Sequence, residues 1–276
     1  MPELPEVETV RRGLAPVLEG QRLERVQIRR ADLRFPFPDG FGQRLTGRTV
    51  TSVGRRAKYL LIELDDETIL ISHLGMSGSF RIYPENPPEL DKHDHVVFGT
   101  SEGQEIRYND PRRFGFMILT TRAELADHKM LHKIGPEPVF PGLDAKQLAA
   151  RLAGRAAPIK AALLDQTVIA GIGNIYACEA LFNAGISPKR KAASIKGARV
   201  DRLATAIKDV LMKAIDAGGS SLKDHRQPSG ELGYFQHEFH VYGRTGEPCP
   251  NCGDGVTIKQ MTQSGRSTFF CSRCQR

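Results

Sequence analysis

The sequence predicts a two-domain α+β protein with strands in the N-terminal domain, helices in the C-terminal domain, and a zinc-binding hairpin at the end. Three observations predict this fold. Short β-type runs occupy residues 22–121, helical periodicity of apolar residues follows from about residue 143, and two pairs of cysteines close the sequence. With 276 residues, the chain is long enough to build two cores.

A helix is predicted at the start of the chain. Pro5 suits a first helical turn, and Pro16 is expected to kink or end the helix. Four apolar residues recur at helical spacing: Val7, Val10, Leu14 and Leu18.

Short strands separated by Gly, Pro, Asp and Asn make up the rest of the first domain. The predicted strands are Thr49–Val53, Tyr59–Leu64, Thr68–Ser72, Phe80–Tyr83, His95–Phe98 and Phe116–Leu119. So many short strands are typical of a sandwich or a barrel.

The domain boundary is predicted near Gly135, because residues 134–142 hold three prolines and two glycines and helical periodicity begins after them. Residues 1–134 form the predicted N-terminal domain and 135–142 the hinge. Residues 143–239 form the helical domain, and residues 240–276 the zinc-binding module. Helices are expected at 144–153, 158–168, 174–184 and along an apolar stripe from 200 to 215 that Gly218 and Gly219 end. Residues 218–240 lack a firm period and are predicted to form a functional or mobile loop.

Positive charge is concentrated in the second half of the chain. The net charge is +7 over the whole sequence, yet residues 1–150 carry 21 Lys and Arg against 22 Asp and Glu, whereas residues 151–276 carry 18 against 10. A polyanion is the expected partner, and a basic surface that only aids solubility is the alternative.

The sequence holds no apolar run of the length that spans a membrane, so no membrane partner is expected. The acidic start lacks the basic and then apolar pattern of a secretion signal. A cytoplasmic location is the expectation that follows.

Four cysteines form a predicted metal site. Cys249 and Cys252 form one pair, Cys271 and Cys274 the other, and each pair can chelate one side of a tetrahedral zinc ion. Two disulfides are the rival interpretation, which the lack of a secretion signal disfavours. Four protein ligands leave no position for water, so the zinc is expected to be structural.

The zinc site is expected to hold a β-hairpin. Strands are predicted at 257–261 and 267–270, with Gln-Ser-Gly-Arg as the turn and Arg266 near its tip. Arg266 is then a phosphate clamp, a catalytic cation or a solvated surface residue. The fifth cysteine, Cys178, falls in a predicted helix, where a buried inert thiol is expected.

The chain terminus offers a possible nucleophile. A small residue after Met1 permits removal of that methionine, which would leave Pro2 with a free secondary amine. A terminal amine has a pKa of about 7.7 to 8.0, so a useful neutral fraction exists near neutral pH and attack on a sugar C1′ gives an iminium. Glu3 lies next to it for proton transfer. An ordinary chain start without catalysis is the alternative.

Six separated segments resemble the bacterial formamidopyrimidine-DNA glycosylases, which remove oxidised purines and nick the abasic site. The segments are Pro2–Glu8, Arg55–Tyr59, His73–Gly78, Lys92–His95 together with Asp110–Gly115, Gly171–Tyr176, and the terminal four-cysteine module. The resemblance covers essentially the whole chain. It implies an N-terminal β-sandwich with flanking helices, followed by a helix-two-turn-helix domain and a β-hairpin zinc finger.

The resemblance also implies the catalytic residues and the cofactor. Pro2 is implied as the Schiff-base nucleophile, Glu3 as the acid/base for glycosidic cleavage, Lys58 as the proton donor for β-elimination and Arg266 as that for δ-elimination. One structural Zn²⁺ is expected, with no catalytic metal or nucleotide cofactor. A bacterial, nucleoid-associated monomer is expected to act on double-stranded DNA that contains an oxidised purine or an abasic site.

Chemistry on a base inside a duplex requires the nucleotide to be flipped out, and the resulting gap must be filled. The resemblance assigns this to Met76 and Phe114 as wedges and to Arg112 as the partner of the orphaned base. Asp110 and Pro111 are expected to form the turn that presents them. Apart from the resemblance, Met76 and Phe114 would be core residues.

Phosphate contacts are implied in the second domain. The resemblance assigns them to Lys160 and Asn174, and places His93 and Arg155 at DNA-contacting positions too. By its position before a predicted helix, Asn174 is also expected to cap that helix. His95 is expected to position its neighbours, and Tyr176 to support the Gly171–Asn174 loop.

Two other functions are weighed against this one. The sister family of endonuclease VIII uses the same nucleophile on oxidised pyrimidines, and Leu4, Arg112, Phe114 and the sequence of residues 218–240 argue against it. A non-enzymatic zinc module that binds DNA would explain the charge and the cysteines. It would leave Pro2, Glu3 and Lys58 together unexplained.

Overall fold

A computed structural model describes residues 2–220, 228, 230 and 232–276. The chain divides into two compact units. The sandwich unit contains residues 1–132 and 217–234, and the helical unit contains residues 133–216 and 235–276. The predicted domain bounds stay predictions. Met1 and much of the predicted 218–240 loop, including any lesion-capping part of it, lie outside the described residues.

The described residues of the sandwich unit form two antiparallel four-stranded sheets. The strands are β1 (Leu23–Ile28), β2 (Val50–Arg56), β3 (Tyr59–Leu64), β4 (Thr68–His73), β5 (Ser79–Tyr83), β6 (Asp94–Thr100), β7 (Glu105–Asn109) and β8 (Phe116–Thr121). One sheet has the order β1-β6-β7-β5 and the other β2-β3-β4-β8. The six predicted strands are confirmed. The sequence prediction missed β1 and β7, in which charged and amide residues interrupt the apolar ones.

Helix α1 (Leu4–Leu18) begins with a capping box, in which Glu3 and Glu6 exchange side-chain to backbone hydrogen bonds. Pro16 lies in its last turn, and the helix ends two residues later. Helix α2 is short (Phe41–Leu45). One core cluster joins the apolar face of α1 to both sheets, including Leu14 of α1, Leu60 of β3 and Phe98 of β6. The predicted β-sandwich with flanking helices is confirmed.

The helical unit contains α3 (Ala145–Leu152), α4 (Ile159–Leu164), α5 (Asn174–Asn183) and α6 (Ala198–Asp216). The helix predicted over 158–168 is too long at its end. Asp165 Oδ1 accepts hydrogen bonds from the backbone N–H and the hydroxyl of Thr167, and this local turn competes with a further helical turn.

The same unit ends in β9 (Pro248–Cys249), β10 (Gly253–Thr257), β11 (Lys259–Gln263) and β12 (Arg266–Phe270). Gln263 pairs with Arg266, and the two residues between them, Ser264 and Gly265, have φ of 50° and 72°. Positive φ at both positions is the backbone of a tight hairpin turn. Arg266 therefore lies beside the tip, as predicted. Within the described part of the chain, no helix is both long and apolar enough to cross a membrane.

Candidate functional site

The predicted nucleophile and acid/base lie at the beginning of α1. Pro2 and Glu3 are both buried, and Glu3 is the N-cap residue of the helix. The backbone N–H of Glu3 donates to Oε2 of Glu6 at 2.8 Å. The position of the first residues therefore depends on the Glu6 carboxylate as well as on the helix.

Glu6 also holds a second segment of the sandwich unit. Its Oε1 accepts from the backbone N–H of Ser220 at 2.9 Å and from the Ser220 hydroxyl at 3.0 Å. Gly219 has φ of +80°, and a Cβ there would lie 3.1 Å from the Glu6 Cγ. Glu6 thus ties the chain start to residues 219–220. Sequence analysis missed this role, although a Glu at the third position of a capped helix was a usable signal.

Lys58 lies in the tight turn between β2 and β3 and is 8% exposed. The turn is tied to α1, because Arg55 donates to the Ala57 carbonyl and pairs with Glu8 at 3.2 Å. Burial alone raises the pKa of Glu8, but the hydrogen bond from Arg11 and the charges of Arg11 and Arg55 outweigh it and lower that pKa. Helix α1, which Glu3 caps, therefore also fixes the hairpin that carries Lys58.

His73, at the end of β4, links this hairpin to the next functional loop. Its Nδ1 accepts a hydrogen bond from the backbone N–H of Gly75 at 3.0 Å, and its ring stacks on Phe116 with centroids 5.3 Å apart. Burial, followed by the charges of Lys58 and Arg34, lowers the pKa of His73 to about 4. The ring is neutral near pH 7, and its Nε2 carries the proton.

The three predicted gap-filling side chains are exposed. Met76 is 37% exposed and Phe114 is 45% exposed, which excludes the alternative that either is a core residue. The Arg112 guanidinium lies over the Phe114 ring, with 4.8 Å from Cζ to the centroid. Two exposed apolar side chains, one of them against a guanidinium, match what insertion into a base stack requires.

The buried carboxylate of Asp110 holds the two loops that carry these side chains. It accepts from the Ser77 hydroxyl at 2.6 Å and from the backbone N–H of Gly115 at 2.8 Å. The Ser77 oxygen in turn accepts from the backbone N–H of Arg112 at 3.1 Å. Arg113 N–H donates to the Asp110 carbonyl at 3.2 Å, which confirms the predicted turn. The sequence prediction gave Asp110 a turn but missed its carboxylate contacts.

Two glycines permit the close packing of these loops. Gly75 has φ of +62°, and a Cβ there would lie 2.3 Å from backbone atoms of Phe114 and Gly115. A Cβ on Gly115 would lie 1.8 Å from the Tyr108 hydroxyl. A side chain at Gly75 would separate the loops, and one at Gly115 would displace the Tyr108 hydroxyl.

His93 lies beside the same loops. Its backbone carbonyl accepts from the Asp110 N–H at 3.1 Å, and its ring is half-buried, 6.2 Å from that of His95. His95 is buried and bonds through Nε2 to the Asp110 carbonyl at 2.9 Å, which is the positioning contact expected of it. Burial lowers the pKa of His95. The structure thus gathers His93, Arg112, Met76 and Phe114 around Asp110.

In the helical unit, a buried lysine holds the zinc-finger hairpin. Lys160 has no exposed surface, and its Nζ donates to the Ser267 carbonyl at 2.9 Å and to the Thr268 hydroxyl at 2.7 Å. Asn174 Nδ2 donates to the same Ser267 carbonyl at 2.9 Å. Both predicted phosphate ligands therefore converge on the residue after Arg266. Their contact with phosphate stays a prediction.

The expectation that Asn174 caps α5 is wrong. Gly173 is the N-cap residue, and Asn174 is the first residue inside the helix. Its side chain binds the hairpin instead of its own backbone. The preceding loop is held by Gln166, which accepts from Gly171 N–H at 2.8 Å and donates to the Ile172 carbonyl at 2.9 Å.

Arg155 and Tyr176 lie elsewhere in this unit. Arg155 forms an ion pair with Asp165 at 3.1 Å, at the surface. Tyr176 is fully buried in α5, and its ring lies 5.7 Å from that of Phe235, so it supports the helix from inside.

The four predicted zinc ligands converge. The ligand atoms of Cys249, Cys252, Cys271 and Cys274 all lie within 4.8 Å of one another, and two of the Sγ–Sγ distances are 3.8 Å. These distances are too long for disulfides. A tetrahedral zinc ion with Zn–S bonds of about 2.3 Å has sulfur–sulfur edges of about 3.8 Å, so this cluster fits zinc.

Three family profiles match the chain in order. They are the formamidopyrimidine-DNA glycosylase N-terminal domain at residues 1–117, the H2TH domain of the same enzymes at residues 134–226, and the zinc finger found in these enzymes and in isoleucyl-tRNA synthetase at residues 246–276. A β-sandwich, an H2TH domain and a four-cysteine finger in one chain define a DNA glycosylase of the helix-two-turn-helix class.

Full-length relatives identify the family. The formamidopyrimidine-DNA glycosylases of Beijerinckia indica and Rhodospirillum rubrum are 58% and 57% identical to this chain, and each alignment covers all of both chains. The chain belongs to the formamidopyrimidine-DNA glycosylase (Fpg) family. Its fold is similar to that of Lactococcus lactis Fpg in complex with DNA containing an abasic site, with a TM-score of 0.89, 37% identity and 99% coverage of both chains. The MutM (Fpg) protein of Thermus thermophilus gives a TM-score of 0.87 at 39% identity, with 99% of this chain and 98% of that chain covered.

Proposed function

We propose that this protein is a bifunctional DNA glycosylase and abasic-site lyase that excises oxidised purines, including 8-oxoguanine and formamidopyrimidines, through a Schiff base on Pro2. Its full-length relatives carry the glycosylase name. Solved Lactococcus lactis structures that resemble it contain abasic-site and Fapy-dG DNA. The observation that carries the proposal is the burial of Glu3 beside Pro2 at the start of a helix that also anchors the Lys58 hairpin.

The reaction begins with attack of the Pro2 nitrogen on C1′. The glycosidic bond breaks, the base leaves after protonation, and the nitrogen loses its proton. The C1′–O4′ bond of the sugar ring then breaks as O4′ takes up a proton, and the nitrogen and C1′ form an iminium. Glu3 supplies the acid and base function at this step, because it adjoins the nucleophile and is shielded from bulk water.

Elimination follows on the iminium-linked sugar. Loss of a C2′ proton expels the 3′ phosphate, with Lys58 as proton donor in β-elimination. A second elimination expels the 5′ phosphate, with Arg266 as proton donor. Water then releases the sugar fragment and restores Pro2.

Base eversion is assigned to the cluster around Asp110. Met76 and Phe114 enter the stack, Arg112 binds the orphaned base, and His93 contacts the backbone nearby. In the helical unit, Arg155, Lys160 and Asn174 bind phosphates, and Lys160 and Asn174 also hold the hairpin of Arg266. One structural zinc ion in the four-cysteine cluster keeps that hairpin folded, and the protein acts as a monomer.

Borohydride trapping tests the proposal. The protein is incubated with duplexes that contain 8-oxoguanine, an abasic site or an oxidised pyrimidine, reduced, digested and mapped by mass spectrometry. We expect a covalent adduct on residue 2 and faster excision of the oxidised purine than of the pyrimidine. An adduct on another residue would contradict the mechanism, and preference for the pyrimidine would contradict the substrate class.

The matched variant is Glu3→Gln. It removes the acid and base function but leaves the terminal amine, so we expect loss of base excision by at least about 100-fold with trapping on preformed abasic DNA retained. Equal loss on both substrates would mean that Glu3 has no separate role in base release.

A further inference from the structure

A second run of basic residues lies beside the proposed phosphate contacts of the helical unit. Residues 189–202 contain six Lys or Arg and one acidic residue, Asp201. Lys189 and Lys191 are exposed, and Arg190 is half-buried. Residues 189–191 are called the basic segment below.

The basic segment pairs with the stretch that contains Arg155 and leads into Lys160. Ile159 N–H donates to the Arg190 carbonyl at 2.7 Å, and Pro158 and Lys191 form an antiparallel bridge. Just after the segment, Ala193 N–H donates to the Arg155 carbonyl at 3.0 Å. The two stretches therefore run side by side.

The other side of the segment contacts the zinc-finger hairpin. Gln263 Nε2 donates to the Pro188 carbonyl at 3.2 Å, and Gln263 is the partner of Arg266 across the hairpin turn. The Lys189 ammonium lies 5.3 Å from the centroid of the Phe270 ring. The segment is thus fixed between two elements that carry proposed DNA contacts.

Its charges are not neutralised within the described part of the chain. Arg155 pairs with Asp165, but among the described residues no carboxylate forms an ion pair with Lys189, Arg190 or Lys191. The Arg190 Nε is buried and has no hydrogen-bond partner there either. Adjacent like charges repel one another, and a polyanion that spans them relieves the repulsion.

We propose that the basic segment extends the DNA-binding surface and holds phosphates of the duplex that flanks the lesion. This inference rests on the proposed function, because continuity with Arg155 and the Arg266 hairpin is what selects DNA as the polyanion. Lys189 and Lys191 supply flexible ammonium contacts without base recognition, so they increase affinity for any flanking sequence. The structural hydrogen bonds of the segment are made by backbone atoms, and the Lys189 and Lys191 side chains are exposed.

The test is the salt dependence of binding by the variant Lys189→Gln/Lys191→Gln. The ligand is a duplex with a tetrahydrofuran abasic-site analogue, in a long form of about 30 base pairs and a short form of about 10 base pairs. Loss of two phosphate contacts reduces the slope of log K against log salt by about 1.8. We expect this change on the long duplex and little change on the short one. The matched control is Lys146→Gln/Lys208→Gln, which removes two exposed lysines from α3 and α6.

An unchanged slope on the long duplex, or a slope no different from that of the control, would overturn the proposal. An equal decrease on both duplexes would overturn it too, because the contacts would then lie at the lesion. Trapping by the wild-type protein separates this outcome from the proposed function. If the wild type traps on residue 2 and the slope does not change, only the extension of the surface fails.

Discussion

Each unit has a buried charged side chain that stabilises a turn, but the two side chains differ in how far away their partners lie along the chain. In the sandwich unit, the Asp110 carboxylate binds Ser77 and Gly115, both within 33 residues of it. In the helical unit, the Lys160 ammonium binds Ser267 and Thr268, more than 100 residues away. Each charge is out of water and each stabilises a turn next to proposed functional side chains.

The two turns also differ in the contacts that hold their shape. The loops around Asp110 belong to a single sandwich and are packed through glycines, so their shape depends on local contacts. The hairpin bound by Lys160 is also held by the four cysteines at its base. Loss of the buried charge should therefore disrupt the first turn more than the second.

Asp110→Asn should give the largest effect. The amide has about the same size, but it presents an N–H₂ group where the carboxylate accepts hydrogen bonds from Ser77 or Gly115. Because hydrogen bonds to a charged group contribute about 1.5 to 3 kcal/mol each, we expect the free energy of unfolding to fall by about 3 kcal/mol. Denaturant unfolding of the purified variant measures this.

Phe114→Ala is the control for that measurement. Phe114 lies on the same loop but is 45% exposed, so its loss should change stability by less than about 0.5 kcal/mol while excision of 8-oxoguanine falls. If Asp110→Asn is as stable as Phe114→Ala, the carboxylate does not hold the loops.

The stability of the sandwich unit should also depend on pH, through His73. The folded pKa of His73 is lowered from 6.5 to about 4, so the unfolded chain binds this proton more readily. The contribution of His73 is fully present above pH 6.5 and is lost as the pH falls from 6.5 to about 4. Because one pKa unit corresponds to about 1.4 kcal/mol, the loss is at most about 3 kcal/mol.

Protonation of His73 also removes the lone pair that accepts from Gly75 N–H. Unfolding curves between pH 7 and pH 4 for the wild type and for His73→Asn measure the effect. We expect a smaller loss of stability on acidification in the variant. Parallel curves would contradict the assignment of this pH dependence to His73.

The sequence predicted the strands, the hairpin and the exposed functional side chains better than the side chains that hold them in place, which are called the supports. Six of the eight strands in the described part of the sandwich unit follow from β-type runs, and the spacing of the four cysteines alone predicts the zinc site. Strand β1 was not predicted because the exposed, charged Glu24 and Arg25 interrupt its apolar residues. A strand of this kind is recognised only once its partner β6 is known.

The supports could not be predicted because they depend on tertiary contacts. Nothing in the local sequence shows that Glu6 reaches Ser220 or that Lys160 reaches Ser267. A buried charge and a solvated one look alike in a sequence. Asn174 shows the same limit, because it precedes a helix as a cap residue would, yet its amide binds a hairpin from a distant part of the chain.

Among the losses of stability expected for Asp110→Asn, for protonation of His73 and for Lys160→Met, that of Lys160→Met should be the smallest. Methionine fills similar space, and the Ser267 carbonyl still accepts a hydrogen bond from Asn174 when the Lys160 ammonium is removed. We expect the free energy of unfolding to fall by about 2 kcal/mol, because the Thr268 hydroxyl loses one buried partner and the ammonium is gone.

Hydrogen exchange at residues 266–270 of this variant should increase while its zinc content stays unchanged, since the cysteines hold the base of the hairpin independently. Lys146→Met, at an exposed position on α3, should change neither quantity. If zinc is lost together with Lys160, the metal and the buried lysine form one cooperative support, and the contrast with Asp110 disappears.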